Sequence, residues 1–259
     1  MLKDLFLHVF PRVFGITLSN RLKIKSEENK YLYPGKELEI FAEATNWKSY
    51  FAHKLIPYIS GRVLEVGAGI GQTTPYLANA KVSKWKSLEP DYNLFTKLVK
   101  RNPSKKNSLV SYQCGTLKDI DDEYDSIVYI DVLEHIEDDL NEINQCSRYL
   151  CSGGNIIVLS PAHKNLFSPF DTSVGHYRRY DKKMLQNLAG ESLELKKVFY
   201  LDCFGLFLNI ANRLLLKKSM PSSRQIQFWD GLVVPISKIF DPVFNFKLGK
   251  SVIGIFEKK

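Results

Sequence analysis

The sequence predicts an α/β fold, a doubly wound and mostly parallel seven-stranded sheet with N-terminal helices and a helical insertion before the last strand. Two observations predict it. From Gly61 onward, short β-rich runs alternate with longer stretches whose apolar residues have helical spacing. Several short runs, such as Ile156–Leu159, are almost continuously apolar, which is typical of parallel strands buried on both faces.

The predicted elements follow one another along the chain. The strands are Arg62–Val66, Lys84–Leu88, Ser108–Tyr112, Ser126–Ile130, Asn155–Leu159, Leu193–Tyr200 and Ser251–Phe256. The helices between them are Gly71–Ala78, Tyr92–Arg101, Leu133–Leu150 and Lys182–Leu188. The stretch Asp202–Lys250 breaks the alternation and is interpreted as an insertion between the last two strands.

The composition narrows the classes of protein. With 259 residues, 44% of them hydrophobic, the chain can bury a core. The net charge is +8, but the basic residues are spread along the chain, so a nucleic-acid partner is not expected and an anionic membrane surface stays open. The four cysteines form no C-x-x-C pair and indicate a reducing, cytoplasmic setting. We expect neither a signal peptide nor a membrane-spanning segment.

The run Val63–Gly71 (VLEVGAGIG) predicts a ligand-binding turn from the first strand into a helix. Its glycines allow a tight turn and a close approach of a ligand to the backbone. Glu65, inside the strand, disfavours a pyrophosphate and suits a positively charged amino group. Glu89 ends the second strand about 20 residues on, where a carboxylate can accept hydrogen bonds from ribose hydroxyls.

These residues, together with Tyr124–Ile136 (YDSIVYIDVLEHI), resemble the class I S-adenosylmethionine-dependent methyltransferases. The resemblance runs from about residue 61 to 159 and implies S-adenosylmethionine as the cofactor. It implies methionine contacts from the glycine loop, ribose contacts at the end of the second strand, and a cofactor-facing or acceptor-facing acid after the fourth strand. Many relatives carry an acid for the adenine after the third strand; here only backbone groups are available. The implied cofactor residues are Glu65, Gly67, Ala68, Gly69, Glu89, Pro90, Thr116, Leu117 and Asp131.

Asp131, Glu134 and His135 follow the fourth strand at positions that share one face of a helix. Three interpretations stay open. The acids and histidine order the start of the helix, or His135 is a general base, or the trio holds a metal. The spacing is similar to the Glu-x-x-Glu-His motif of some metal-dependent O-methyltransferases, with the shorter Asp131 in first place. We predict no metal.

The loop after the fifth strand contains Gly-His-Tyr-Arg-Arg-Tyr, residues 175–180. A loop at the carboxyl end of a strand is placed to line a ligand site, and guanidinium groups suit carboxylates or phosphates. The alternative is a loop held by an internal Asp171–Arg179 ion pair. The candidate acceptor residues are Asp171, His176, Arg178, Arg179 and Tyr180, and the segment is similar to one in bacterial methyltransferases of surface-polysaccharide pathways.

The sequence therefore predicts an S-adenosylmethionine-dependent O-methyltransferase acting on a small-molecule, glycan or glycan-lipid acceptor, with His135, His176 and Asp131 as candidate catalytic residues. Alternatives are a hydrophobic quinone-like or lipid acceptor at the membrane surface, and a non-catalytic cofactor-binding partner protein. A peripheral contact with the inner membrane face and a homodimer stay open. The expected divisions are an N-terminal cap (1–60), a cofactor-binding core (61–201), an insertion forming an acceptor lid (202–250) and the last core strand (251–259).

Overall fold

The computed structural model describes residues 31–103, 108–215 and 220–259, apart from the side chains of residues 212–215. The first half of the predicted N-terminal cap therefore lies outside the described residues. From residue 31 to residue 60 the chain is helical and irregular, with α1 (Leu38–Phe41) and α2 (Thr45–Leu55). The four predicted divisions of the chain stay predictions.

Within the described residues, seven strands form one sheet in the order β3-β2-β1-β4-β5-β7-β6. The last strand is antiparallel to both of its neighbours, and the other neighbouring pairs are parallel. The predicted fold class is confirmed. The strands are β1 (Gly61–Val66), β2 (Val82–Glu89), β3 (Val110–Cys114), β4 (Tyr124–Ile130), β5 (Leu150–Pro161), β6 (Leu193–Leu201) and β7 (Ser251–Lys258).

Helices cover both faces of the sheet and fill the insertion. They are α3 (Thr74–Leu77), α4 (Tyr92–Arg101), α5 (Asp139–Cys146), α6 (Pro169–Ser173), α7 (Lys182–Leu188), α8 (Cys203–Leu215), α9 (Ser223–Phe228) and α10 (Val234–Phe240). Helices α4 and α7 have the predicted bounds. The predicted insertion is confirmed as helical, because α8, α9 and α10 lie between β6 and β7. No helix in the described part of the chain is long and apolar enough to cross a membrane.

Two helix predictions were wrong in their bounds. The stretch predicted as one helix over Leu133–Leu150 is a 3₁₀ turn at Leu133–His135, then α5, and Leu150 already belongs to β5. The Asp138 side chain accepts a hydrogen bond from the Asn141 N–H at 3.2 Å and caps α5, so a new helix starts there. Helix α3 starts later than the predicted Gly71 because that residue has a left-handed φ of 77°.

The insertion packs on the same face of the sheet as α2. Trp47, Phe51 and Leu55 of α2 share one buried cluster with residues of the insertion, among them Ile226 and Val234. The opposite face carries a second cluster, to which α5 and α7 contribute. The insertion is therefore part of the folded core and lies beside the carboxyl ends of the parallel strands, where β6 leaves the sheet and β7 re-enters it.

Asp241, directly after α10, fixes the insertion to the core. Its fully buried carboxylate accepts hydrogen bonds from the Asp202 N–H at 2.7 Å, the Cys203 N–H at 2.9 Å and the Tyr50 hydroxyl at 2.7 Å. One side chain thus joins the end of α10, the start of α8 and the middle of α2.

Replacing Asp241 by alanine leaves three buried donors without an acceptor. Each costs about 1–3 kcal/mol, so we expect Asp241→Ala to lower the free energy of unfolding by about 3 kcal/mol or more in urea titrations. Asp121→Ala, at an exposed position, is the control and should change it by less than about 0.5 kcal/mol. Equal effects of the two variants would contradict this description of the insertion.

Candidate active site

The candidate residues gather where the sheet order reverses. Strands β1 and β4 are neighbours, and the chain leaves them toward different sides, which opens a crevice at their carboxyl ends. The glycine loop follows β1, Glu89 ends β2, Gly115 follows β3 and Asp131 follows β4. The topology therefore brings the predicted cofactor residues to one edge of the sheet.

The glycine loop needs its glycines for two different reasons. Gly67 and Gly71 have left-handed φ angles of 68° and 77°, and an added Cβ would lie 2.7 Å from a Val132 methyl and 2.4 Å from a Leu98 methyl. At Gly69, with a φ of 57°, an added Cβ would meet only Leu38, at 3.7 Å. Close packing therefore excludes a side chain at Gly67 and Gly71, whereas Gly69 lies beside open space.

Glu89 bridges the glycine loop and the start of α4. Its Oε2 accepts from the Gly69 N–H at 2.7 Å and its Oε1 from the Asp91 N–H at 2.9 Å. Burial raises the pKa of Glu89 to about 7, although both hydrogen bonds favour its charged form. Each oxygen retains a second lone pair, so the carboxylate can accept two further hydrogen bonds from a ligand.

Glu65 is buried beneath the loop. Its Oε2 accepts hydrogen bonds from the side chains of Thr74, Trp85 (2.9 Å) and Ser87 (2.8 Å). Its Oε1 is buried and has no partner in the part of the chain that the structure describes. Burial raises its pKa. One oxygen is thus fixed by the protein, and the other lacks the donor that a buried acceptor requires.

The remaining predicted cofactor residues lie in the adjoining loops. The Ala68 N–H donates to the Leu88 carbonyl at 3.0 Å, and Pro90 is half-buried between Glu89 and the start of α4. The Thr116 N–H donates to the Asp119 carboxylate at 2.8 Å, and Leu117 is buried. The Thr116 N–H already has a partner, so any adenine contact there falls to other backbone groups.

Asp131 faces the crevice. Its φ of 53° turns it away from the strand direction, while its N–H donates to the Leu159 carbonyl at 2.8 Å. Residue Asp131 is exposed to solvent, yet desolvation by the surrounding protein raises its pKa to about 6, although the positive charge of Lys250 opposes the rise. Asp131 is thus reached by solvent but surrounded by protein, as a residue in a cleft is.

Glu134 and two histidines form a tight group beside Asp131. The rings of His135 and His176 meet edge to face with centroids 4.5 Å apart, and the Nε2 of His176 lies 3.9 Å from the buried Oε1 of Glu134. One potential ligand atom from each of the three residues lies within 4.8 Å of the others. Burial and the neighbouring Asp131 raise the pKa of Glu134 well above its usual range.

The structure thus corrects the predicted geometry of this cluster. Residues 133–135 form a 3₁₀ turn, so Asp131, Glu134 and His135 do not share a helical face. His176, from the loop after β5, joins Glu134 and His135 in the compact group. Burial lowers the pKa of His135 to about 3, which leaves this ring neutral near neutral pH.

Asp171 organises the loop that carries His176. Its Oδ1 lies 2.9 Å from the Nδ1 of His176, and Arg179 donates from Nε and Nη2 to its two oxygens at 2.8 and 2.9 Å. Burial alone would raise the pKa of Asp171, but the hydrogen bonds from His176 and Arg179 outweigh it and lower the pKa well below the usual range. The ionised Asp171 assigns the proton of His176 to Nδ1 and leaves Nε2 as an acceptor.

Part of the chain matches a known protein family. Residues 64–158 match the family described as a methyltransferase domain.

The chain carries the methyltransferase domain of an S-adenosylmethionine-dependent methyltransferase.

Solved structures show the same fold at low identity. A candidate sarcosine dimethylglycine methyltransferase from Galdieria sulphuraria is 17% identical, with a TM-score of 0.55 over 93% of this chain and 98% of that one. The N-methyltransferase NodS from Bradyrhizobium japonicum is 13% identical, with a TM-score of 0.51 over 86% and 98%. Coclaurine N-methyltransferase, bound to N-methylheliamine and S-adenosylhomocysteine, is 12% identical, with a TM-score of 0.56 over 83% and 72%.

The residues of the crevice fit S-adenosylmethionine, the cofactor of this methyltransferase. Within the described residues, three buried carboxylate oxygens at the crevice have no hydrogen-bond partner, one each from Glu37, Glu65 and Glu134. The exposed carboxylate of Asp131 lies among them. A ligand with a sulfonium and an ammonium group supplies the positive charge that such a set of acids lacks.

Of the five predicted acceptor residues, most turn out to hold the loop itself. The Asp171–Arg179 ion pair of the alternative interpretation is present and buried. Arg178 pairs with Asp139 at 2.6 Å, and the buried Tyr180 donates to the same carboxylate at 2.6 Å. His176 differs from these residues because its Nε2 faces Glu134, 3.9 Å from the buried Oε1.

Sequence reasoning missed two groups of the methyltransferase site. The Nζ of Lys250 lies 3.3 Å from the centroid of the Trp229 ring and 3.7 Å from Asp202, and burial lowers the pKa of Lys250 to about 8. Tyr33 donates its N–H to Asp91 at 2.7 Å and contacts the His135 ring at 5.3 Å, so the segment before α1 crosses the crevice. Only the antiparallel entry of β7 reveals that Lys250 lies at this edge.

Asp171 also sets a pH dependence of stability. Its pKa is lower in the folded than in the unfolded chain, so its contribution is present above about pH 4 and is lost as the pH falls through the folded-state pKa. We expect Asp171→Asn to lower the unfolding free energy by about 3 kcal/mol at pH 7, because it leaves Arg179 buried and unpaired. The deficit should narrow below about pH 4 in urea titrations.

The exposed Asp121→Asn is the matched control, and its stability should follow that of the unmodified protein across the same range of pH. A deficit of Asp171→Asn that stays constant down to about pH 3 would contradict the assignment of an ionised, paired Asp171.

Proposed function

We propose that this methyltransferase methylates a hydroxyl oxygen of a small-molecule, glycan or lipid-linked glycan acceptor, with His176 as the general base. The Asp171–His176 pair carries this proposal. A hydroxyl must lose its proton as the new bond forms, whereas many amine acceptors need no base. A histidine oriented by a buried carboxylate, with its other nitrogen at the cleft, is suited to take that proton.

We infer that the cofactor half of the site works as the resemblance implies. Gly67, Ala68 and Gly69 approach the methionine end, and the unpartnered oxygen of Glu65 supports a contact with its ammonium group. Glu89, next to Pro90, accepts from the ribose hydroxyls. Backbone groups around Thr116 and Leu117 receive the adenine. When bound, S-adenosylmethionine supplies the electrophilic methyl group.

The catalytic half divides its tasks among three side chains. His176 takes the proton at Nε2, and Asp171 stabilises the imidazolium that results. Asp131, open to the cleft, holds negative charge near the sulfonium position and orients the acceptor hydroxyl. His135 serves as a packing partner of His176, since its low pKa makes it a poor base. Most of the rate acceleration comes from holding the acceptor oxygen and the methyl group in line.

Three aromatic rings and one lysine, which we call the acceptor wall, favour an acceptor that has a flat or sugar ring and an anionic group. The Phe41 ring lies 6.1 Å from that of Trp229 and 6.5 Å from that of Phe170. Lys250, stacked on Trp229, adds a cation at the same wall. Aromatic faces favour rings, and the ammonium group favours a carboxylate or phosphate.

A second candidate acceptor is a hydrophobic quinone-like or lipid molecule reached at the membrane surface. The exposed apolar side chains of the insertion favour it, including Phe207 and Phe228. The four free cysteines support a cytoplasmic setting. The two candidate acceptors differ in their need for a positive charge. An anionic sugar acceptor needs the ammonium group of Lys250, whereas a neutral lipid acceptor does not.

The test is methyl transfer from labelled S-adenosylmethionine to a panel of sugar nucleotides, glycan phosphates, quinone precursors and small amines. We expect His176→Gln to lower kcat by about 10²- to 10⁴-fold, because the base is lost, while cofactor affinity measured by calorimetry changes by less than about threefold. His135→Gln should lower kcat by less than about tenfold, and the exposed His53→Gln should leave it unchanged.

Loss of kcat in His135→Gln with retention in His176→Gln would overturn the assignment of the base. Transfer only to nitrogen acceptors, at rates that His176→Gln leaves unchanged, would overturn O-methylation.

A further inference from the structure

The outer surface of the insertion carries a group of exposed apolar side chains, which we call the apolar tip: Phe207, Ile239, Phe240, Val243 and Phe244. Ile239 and Val243 are each 68% exposed, an unusual fraction for β-branched apolar side chains. The residues are contiguous. Phe204 contacts Phe207 at 5.9 Å and Phe240 at 5.3 Å between ring centroids, which joins α8 to the end of α10.

The charges around the apolar tip are of one sign. Arg224, Lys238 and Lys247 are exposed on the insertion. Residues 203–250 contain two acids, Asp230 and Asp241, and both are buried. Asp230 accepts from the backbone of α2, and Asp241 fixes α8 as described above. The surface of the insertion therefore presents cations and apolar groups without an exposed carboxylate.

We propose that the apolar tip docks on an anionic phospholipid bilayer, a function beyond the methyl transfer proposed above. Apolar side chains flanked by lysine and arginine match the interface of such a bilayer, where the side chains enter the acyl boundary and the cations meet the headgroup charge. A second copy of the chain fits poorly, since a symmetric contact places Lys238 and Lys247 against their own equivalents.

The docking surface and the acceptor cleft share one short segment. Phe228 is 54% exposed on the outer side, whereas its neighbour Trp229 is buried against Phe41 and Lys250. Docking therefore brings Trp229 and the proposed acceptor wall close to the membrane surface.

The experiment is flotation of the full-length protein with phosphatidylcholine vesicles, with and without about 30% phosphatidylglycerol, at low and high salt. We expect binding to the anionic vesicles and its weakening at high salt. Lys238→Glu/Lys247→Glu should reduce the bound fraction about tenfold or more. Ile239→Ser/Val243→Ser/Phe244→Ser should reduce it similarly on anionic vesicles, because the inserted groups are lost.

Two controls match these variants. Lys81→Glu/Lys84→Glu makes the same change of net charge at exposed positions before and within β2, and Leu109→Ser/Leu140→Ser removes exposed apolar side chains elsewhere. Both should float like the unmodified protein. Each variant must also keep its melting temperature and its calorimetric affinity for S-adenosylmethionine, which separates docking from folding and from the methyltransferase function.

Three results would overturn the proposal: no flotation with anionic vesicles at low salt, equal loss in Lys81→Glu/Lys84→Glu, or a solution dimer that the Ile239→Ser/Val243→Ser/Phe244→Ser variant dissociates. The last result would assign the tip to a second copy of the chain.

Discussion

Four carboxylates crowd the crevice at the carboxyl ends of β1, β2 and β4: Glu65, Glu89, Asp131 and Glu134. Burial raises the pKa of Glu65, Glu89 and Glu134, and desolvation by the cleft raises that of the solvent-exposed Asp131. The acids also act on one another, as Asp131 does on Glu134 and Glu65 on Glu89. Charging such a group without a cation nearby is unfavourable in a low-dielectric setting. The acids of the crevice therefore lack compensating positive charge, and a positively charged cofactor supplies it.

The pKa of Asp171, in the loop after β5, shifts in the opposite direction. Asp171 is as buried as Glu134, but Arg179 and His176 satisfy it, so its pKa falls where the pKa of Glu134 rises. Asp171 thus holds the ring of His176 in place, whereas the acids with raised pKa values lie where a cation would stabilise their charged forms. The insertion also has two different sides. Trp229 and Asp230 pack against α2, whereas the outer surface of the same segment is apolar and basic.

Much of the cofactor side could be predicted from the sequence, because a strand, a glycine turn and a strand-end acid are local patterns. Gly67 directly after the first strand and Glu89 at the end of the second have the predicted positions for that reason. The helix predicted over Leu133–Leu150 was wrong because apolar spacing does not reveal the cap at Asp138. The pairing of Asp171 with Arg179 and the approach of Lys250 and Tyr33 depend on tertiary contacts. The spacing of Asp171 and Arg179 in the sequence indicated their ion pair only as one of two interpretations of the loop.

Calorimetry of S-adenosylmethionine binding at about pH 6.5, in buffers of different ionisation enthalpy, tests this electrostatic account most directly. A cation that lowers the pKa values of Glu89 and Asp131, about 7 and 6, displaces protons from them. We predict binding with net proton release, and smaller release with affinity about tenfold weaker in Glu89→Gln, while the exposed Glu191→Gln matches the unmodified protein. Absence of binding, or binding with net proton uptake, would contradict the account.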